Sequence, residues 1–385
     1  MIPLFVLAHF SHHVIAALLQ PLLPFIRDDF ALSYTQAAWL VSAFTLSYGI
    51  SNLPAGWLAD RVGSRLIIAV GVTGAAICGL IVGLSPTYTI MVIFLVLLGI
   101  TGGGYHPAAS PLISASVEPQ NRGRALGLHQ IGGTASFFLA PLIAVGITSI
   151  LNWRSTFVVV AIPVIIVGIV MYIVIGKRGY SDRTGTKSEA SHLEGPITTS
   201  SHWTHLVAFI TLGVTLQVLL FSLISFLPLF TVDHFGASEG VAASLLSLYH
   251  LTGLLGGPLG GYLSDRVGEV PVMLTACLLA GPFVYIWGLV SFGWQFFLII
   301  FTLGFFQYVG MPASEAYIIS HAPQRYRSTA LGIYYSASRG GPGLIMPVLG
   351  FLFDQYGFNA SFTIVGSALF AIAIICSILL LRNRS

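Results

Sequence analysis

The chain has 385 residues, of which 56% are hydrophobic and only 8% charged, and its mean hydropathy is +0.89. An ordinary soluble domain carries about 25% charged residues, so this composition excludes one and requires a membrane protein. The formal net charge of +3 comes mostly from a polar linker and short loops, and it gives nucleic-acid binding no support.

About 20 apolar residues cross the hydrocarbon, and runs of that length recur along the chain. The first, 3–26, starts at once, lacks a basic leader and a small-residue cleavage site, and ends in Arg27-Asp28-Asp29. It reads as a retained first helix rather than a signal peptide. It holds His9, His12 and His13, with His9 and His13 one turn apart. The second run, 35–59, leads into Gly56-Trp57-Leu58-Ala59-Asp60-Arg61-Val62-Gly63-Ser64-Arg65. Runs follow at 66–84, 88–116, 122–149 and 155–176, carrying His106 in the fourth and His129 in the fifth. Residues 177–203 are polar, with Lys177, Arg178, Asp182, Arg183, Lys187, Glu189 and Glu194 among Ser, Thr and Gly, and read as a flexible linker. Six more runs follow at 204–232, 239–264, 270–290, 294–320, 327–353 and 360–381.

The loop after the second run returns as Gly261-Tyr262-Leu263-Ser264-Asp265-Arg266-Val267-Gly268, and the same offset pairs Pro107 with Pro312, Arg122 with Arg327 and Phe157 with Phe362. A repeat in one ungapped register means two equivalent halves. Such duplication marks secondary transporters, whose site lies between the repeats near the bilayer midplane. The expected fold is an all-α membrane protein with twelve transmembrane helices in two pseudo-symmetric six-helix halves, 1–176 and 204–385, joined by the linker 177–203. Basic residues accumulate in cytoplasmic loops. Arg61, Arg65, Arg122, Arg124, Lys177, Arg266, Arg325, Arg327 and Arg382 share one side, which places both termini and the linker in the cytoplasm and the protein in the cytoplasmic membrane.

The doubled Gly-x-Leu-x-Asp-Arg-x-Gly loop, the twelve-helix layout and the central linker resemble the major facilitator superfamily over the whole chain. Gly102-Gly103-Gly104-Tyr105-His106-Pro107, then Leu128-His129-Gln130-Ile131-Gly132-Gly133, and His9 with Leu22-Leu23-Pro24 resemble its fosmidomycin-resistance subgroup of drug exporters. The resemblance implies that Asp60 approaches the N-terminus of the eleventh helix, where unpaired amides favour an anion. It also implies a gating network of Asp60, Arg61, Arg65, Glu118 and Arg122, with Asp265, Arg266 and Arg327 as its counterpart. Two departures weigh on antiport. Leu95 stands where proton-coupled exporters of the superfamily commonly carry an arginine, and Ser136, Ala140 and Pro141 stand where antiporters often show Gly, Gly and Pro.

Ionisable groups inside the bilayer cost at least a few kcal/mol and are usually functional or paired. Arg339 and Glu315 are two such groups, and whether they pair with each other the sequence leaves open. Substrate-binding candidates are Arg339, His106, Gln217, Tyr308 and Tyr334; proton-coupling candidates are His9, His13, His106 and Glu315. No Cys or carboxylate neighbours the first-helix histidines, so no metal ligand set and no cofactor are assigned. Cys78, Cys277 and Cys376 read as packing residues. Gly340-Gly341-Pro342-Gly343 interrupts the eleventh helix as a bending point.

The expected function is proton-coupled export of a small anionic or amphiphilic compound by alternating access. Uptake of a carboxylate metabolite and a non-transporting receptor are the alternatives. The expected partners are a small-molecule substrate, protons and lipid, with the protein monomeric; no nucleophile elbow, phosphate loop or zinc motif suggests an enzyme.

Overall fold

The computed structural model describes residues 1–118, 121–177, 200–323 and 327–381, without the side chains of 200–202, 327 and 328. Lipid offers backbone groups no partner, so a spanning segment must close its hydrogen bonds internally, and the described elements are all helical. α1 (Ile2–Ala17) and α2 (Leu19–Phe30) meet at Leu18; α3 is Tyr34–Val62. α4 (Ser64–Ala69), a π-helical turn (Val70–Gly74) and α5 (Ala75–Leu84) follow, then α6 (Tyr88–Gly102) and α7 (Tyr105–Ala115) on either side of Gly103-Gly104. α8 (Arg122–Thr148) and α9 (Trp153–Lys177) complete the N-terminal portion. The C-terminal portion holds α10 (Ser200–Ser225), α11 (Leu227–Phe235), α12 (Glu239–Val267), α13 (Glu269–Trp287), α14 (Trp294–His321), α15 (Arg327–Gly340) and α16 (Pro342–Leu381).

Ten of the described helical stretches are long and apolar enough to cross a membrane. α3 is not among them, because Ser42, Thr45, Ser47, Ser51 and Asn52 dilute its apolar residues. Thr329–Leu381 counts once, although Gly357 at φ 72° and ψ 176° bends it sharply. That left-handed φ suits glycine, which has no Cβ to clash. The interruption expected at the eleventh helix falls at Gly341, where α15 ends and α16 begins on Pro342.

Without a hydrophobic drive between helices in lipid, close packing through small residues holds them together. α3 lies against α15 and α16 in this way. A Cβ on Gly49 would sit 2.4 Å from the Gly340 Cα, and one on Gly343 would sit 2.6 Å from the Leu46 Cβ. Gly49→Val should therefore force these helices apart, costing about 1–3 kcal/mol as overpacking does. A lower melting temperature in detergent is the expected result, with Gly127→Ala, whose added methyl meets nothing within 4 Å, as the unaffected control; equal melting of the two variants would refute the close contact.

The two portions are tied at one end of the bundle by polar groups. Arg27 on α2 pairs with Asp233 on α11, and the Tyr34 hydroxyl donates to the same carboxylate at 2.6 Å. Asp354 on α16 accepts from the backbone amides of Tyr34 and Thr35, both at 2.9 Å, so a carboxylate from one portion caps the N-terminus of a helix in the other. Deeper in, Gln20 donates to Ser225 at 2.7 Å. These two positions are separated by the same 205 residues as the repeated loops.

Candidate functional site

Between the portions lies a cavity of about 210 Å³, lined from both. Its wall includes His9, His13, Gln20, Thr45, Tyr48, His106 and Phe137 from the N-terminal portion. The facing wall includes Gln217, His250, Gln307, Tyr308, Tyr334 and Arg339. The five residues expected to touch substrate, Arg339, His106, Gln217, Tyr308 and Tyr334, all line it, as do His9 and His13.

The histidines owe their positions to helix periodicity and to one break. His9 and His13 stand four residues apart on α1 and so share a face. His106 arrives in the first turn of α7, just past the Gly103-Gly104 turn. The His13 and His106 Nε2 atoms lie 3.1 Å apart, and one ring nitrogen from each of His9, His13 and His106 falls within 4.8 Å of the others. The His9 Nδ1 is 2.7 Å from the His129 carbonyl; a carbonyl only accepts, so Nδ1 carries the proton. Its Nε2 is then a lone-pair acceptor, and that atom is buried without a hydrogen-bond partner. The His12 Nδ1 donates to the Gly71 carbonyl at 3.1 Å, within the π-helical turn of Val70–Gly74, where the helix ladder is already irregular. Tyr105 and His129 finish the cluster, their rings stacked on those of His12 and His9 at 4.6 and 4.0 Å.

Across the cavity a second polar group is tightly bonded within itself. The Gln217 amide donates to the Gln307 carbonyl at 2.9 Å, and the Gln307 amide returns to the Gln217 side chain at 3.1 Å. Tyr249 also donates to Gln307. His250 Nδ1 and the Tyr308 hydroxyl are 2.8 Å apart. Phe137 separates this group from the histidines, its ring 5.1 Å from His13 and 5.4 Å from His250.

Arg339 sits in the last turn of α15. Among the described residues no carboxylate lies within ion-pair distance of it, Glu315 included. Its guanidinium reaches the Tyr48 hydroxyl and lies 5.9 Å from the Tyr335 ring. Glu315 is not part of the cavity wall and faces the Tyr335 hydroxyl instead. The cavity wall thus holds a cation with no carboxylate within ion-pair distance among the described residues, Glu315 acting on it only at longer range.

At the end that bears the repeated loops, Asp60, Arg61, Asp265 and Arg266 are exposed and form no ion pair among the described residues. Arg61 lies over the Trp57 ring at 4.0 Å and Arg266 over Tyr262 at 4.8 Å. Arg65 donates to the Tyr172 carbonyl at 2.8 Å, and Arg122 to the Ser114 carbonyl at 3.1 Å. Glu118 is exposed. The side chain of Arg327, and residues 324–326 ahead of α15, lie outside the described residues.

Sequence reasoning singled out neither Phe137 nor the π-helical turn that holds His12. Nothing but Gly71 and Gly74 marks the turn in the sequence. His250 could be found as a polar residue inside an apolar run, yet its partner Tyr308 becomes visible only once α12 and α14 are packed.

Residues 5–238 and 209–385 match the family model described as Major Facilitator Superfamily. The chain is 24% identical over 278 residues to the "Probable L-galactonate transporter" of Escherichia coli (strain K12), covering 67% of this chain and 60% of that one. It is 23% identical over 357 residues to the multidrug resistance protein MdtG of Citrobacter koseri, covering 90% of this chain and 87% of that one. Among solved structures, a bacterial homologue of the human lysosomal transporter Spinster, inward-facing and occupied, superposes with a TM-score of 0.78 at 18% identity, covering 99% of this chain and 95% of that one.

Proposed function

This chain belongs to the Major Facilitator Superfamily and is a multi-pass membrane transporter, not an enzyme; from that premise we propose that it is a proton-linked exporter of a small anionic organic solute. The observation that carries this reading is Arg339, a cation on the cavity wall without a carboxylate within ion-pair distance. Such a group recognises carboxylate or phosphonate oxygens through paired, charge-assisted hydrogen bonds. His9, His13 and His106 on the facing wall offer ring nitrogens that can take up and release a proton, with Glu315 as a further proton carrier behind Tyr335.

The chain crosses the bilayer twelve times in this reading. To the ten apolar stretches are added α3 and a second pass of α16, whose 40 residues would span about 60 Å at 1.5 Å per residue, twice the hydrocarbon thickness. Six passes precede the linker and six follow it. The basic loops face the cytoplasm, which puts the Arg27, Asp233 and Asp354 contacts at the outer end. The conformation is then closed outside, with the Asp60 and Asp265 loops exposed and free of ion pairs among the described residues. A monomer containing both halves would be the working unit.

The name of the galactonate carrier, whose cargo is a sugar acid, and that of MdtG agree with an anionic or drug-like organic solute. The finer likeness to fosmidomycin-resistance exporters rests on the glycine and histidine motifs of the fourth and fifth passes. The galactonate carrier's name states no direction, and the second reading is inward movement of a carboxylate metabolite through the same cavity.

A pH gradient across inside-out vesicles, challenged with phosphonates, carboxylates and hydrophobic drugs, separates these readings. Export coupled to protons predicts that a transported phosphonate or carboxylate collapses the gradient in vesicles carrying the protein and not in empty ones. Substrate movement without proton movement would remove the coupling, and movement only in the opposite direction would favour uptake.

A further inference from the structure

The geometry points to a transition-metal site made by His9, His13 and His106, a tridentate imidazole set open to the transport cavity. Three observations carry it, and none depends on the identity of the transported solute. First, His9 and His13 are one helical turn apart on α1, a spacing that turns two imidazoles toward one point, and His106 on α7 supplies the third. Second, one nitrogen of each lies within 4.8 Å of the others, with His13 and His106 at 3.1 Å. A tetrahedral ion with bonds of 2.0–2.1 Å sets its ligand nitrogens roughly 3.4 Å apart, so ordinary side-chain rotations complete the set.

Third, the tautomer of neutral His9 is set by its partner. Its Nδ1 proton is committed to the His129 carbonyl at 2.7 Å, which leaves Nε2 as a buried lone pair with no hydrogen-bond partner. An unsatisfied buried acceptor costs about 1–3 kcal/mol. A backbone carbonyl behind one ring nitrogen is also how metal-bound histidines are commonly oriented for coordination through the other.

Imidazole sets of this kind take Zn²⁺, Cu²⁺ or Ni²⁺, and three ligands leave a fourth position open to solute or water. All three residues line the cavity, so the open position faces it. The groups arranged around the set are His12, Tyr48, Tyr105, His129, Phe137 and Arg339. Arg339 is the one that acts against a dication, since like charges repel. Along the first helix alone no carboxylate or Cys completes a ligand set; the third ligand comes from another pass.

Zn²⁺ alone, titrated calorimetrically into metal-stripped full-length protein in nanodiscs, is the test, with Co²⁺ absorption as a second readout. Wild type should bind one equivalent and give the intense visible bands of tetrahedral cobalt. His13→Gln and His106→Gln should each weaken binding at least about 100-fold, the upper end of what even an outer-shell change does, and abolish the bands. His234→Gln, whose ring stacks on Phe230 away from the cavity, should bind as wild type. Arg339→Gln, lacking the repelling charge, should bind severalfold tighter. Melting curves establish that each variant is folded. Wild-type affinity no better than that of the two ligand variants, or weaker binding by Arg339→Gln, would overturn the site. Because no solute enters this titration, its failure leaves the transport reading standing, and a silent vesicle experiment leaves the metal site standing.

Discussion

Arg339→Ala should lose solute-dependent transport by about 100-fold or more in kcat/KM, with the protein still folded and inserted. Hydrogen bonds to a charged group contribute about 1.5–3 kcal/mol each, and a guanidinium can offer two in parallel to a carboxylate or phosphonate. Loss of about 3 kcal/mol is roughly 150-fold, since 1.4 kcal/mol is tenfold. The protein itself provides no carboxylate within ion-pair distance of Arg339 among the described residues, and Glu315, which feels the cation at longer range, keeps the Tyr335 hydroxyl as its partner, so stability should fall far less than activity. Arg339→Lys keeps the charge but not the planar fork, and it should recover part of the rate. Transport by Arg339→Ala at the wild-type rate would show that the cation is only structural. Binding of a labelled carboxylate or phosphonate to purified protein checks the same point without a gradient.

The two ends of the bundle were unequally legible. The repeated Asp60 and Asp265 loops announce themselves as near-identical strings, and the family resemblance draws attention to that end as the gate. In this conformation those charges are exposed, Arg61 and Arg266 lying over ring neighbours on their own helices. A carboxylate at a helix N-terminus, the kind of contact expected of Asp60, is found at the opposite end as Asp354 against Tyr34 and Thr35; the residues ahead of α15 that Asp60 is expected to meet lie outside the described residues. Nothing in the sequence groups Arg27, Asp233 and Asp354, because their meeting depends on residues about 200 and 320 positions apart.

The cavity was legible by chemistry and not by geometry. Polar groups inside apolar runs are costly, and that criterion alone finds Arg339, His106, Gln217, Tyr308 and Tyr334. The same criterion finds Glu315, which lies behind Tyr335 and off the cavity wall. It also cannot see that Gln217 is bonded to Gln307, and so less available to a solute than Arg339. The approach of His106 to His13 was out of reach for a further reason. It requires the turn at Gly103-Gly104, and three successive glycines specify flexibility without specifying direction.

Asp233→Asn should release the end of the bundle that Arg27, Asp233 and Asp354 tie together. Asp233 holds both Arg27 and the Tyr34 hydroxyl, and the Arg27 and Asp233 side chains are only 15% and 20% exposed. Truncating one partner of a hydrogen-bonded charge pair costs about 2–5 kcal/mol when it is buried. Partial exposure and the second partner of Arg27, Asp28 at 2.8 Å, bring this to about 2 kcal/mol, or roughly 30-fold in the ratio of closed to open forms of this end. Asp354→Asn should act in the same direction, since it weakens the cap on α3.

Alternating access is the central claim, and paired spin-label distances test it most directly. One pair, on Val62→Cys and Val267→Cys, reports the loop end; a second, on Leu32→Cys and Ala237→Cys, reports the opposite end, both in a background with Cys78, Cys277 and Cys376 replaced. The account predicts reciprocal changes: Asp233→Asn, or a transported solute, lengthens the second distance and shortens the first in the same molecules. Two distances that stay fixed under both treatments, or that lengthen together, would contradict it.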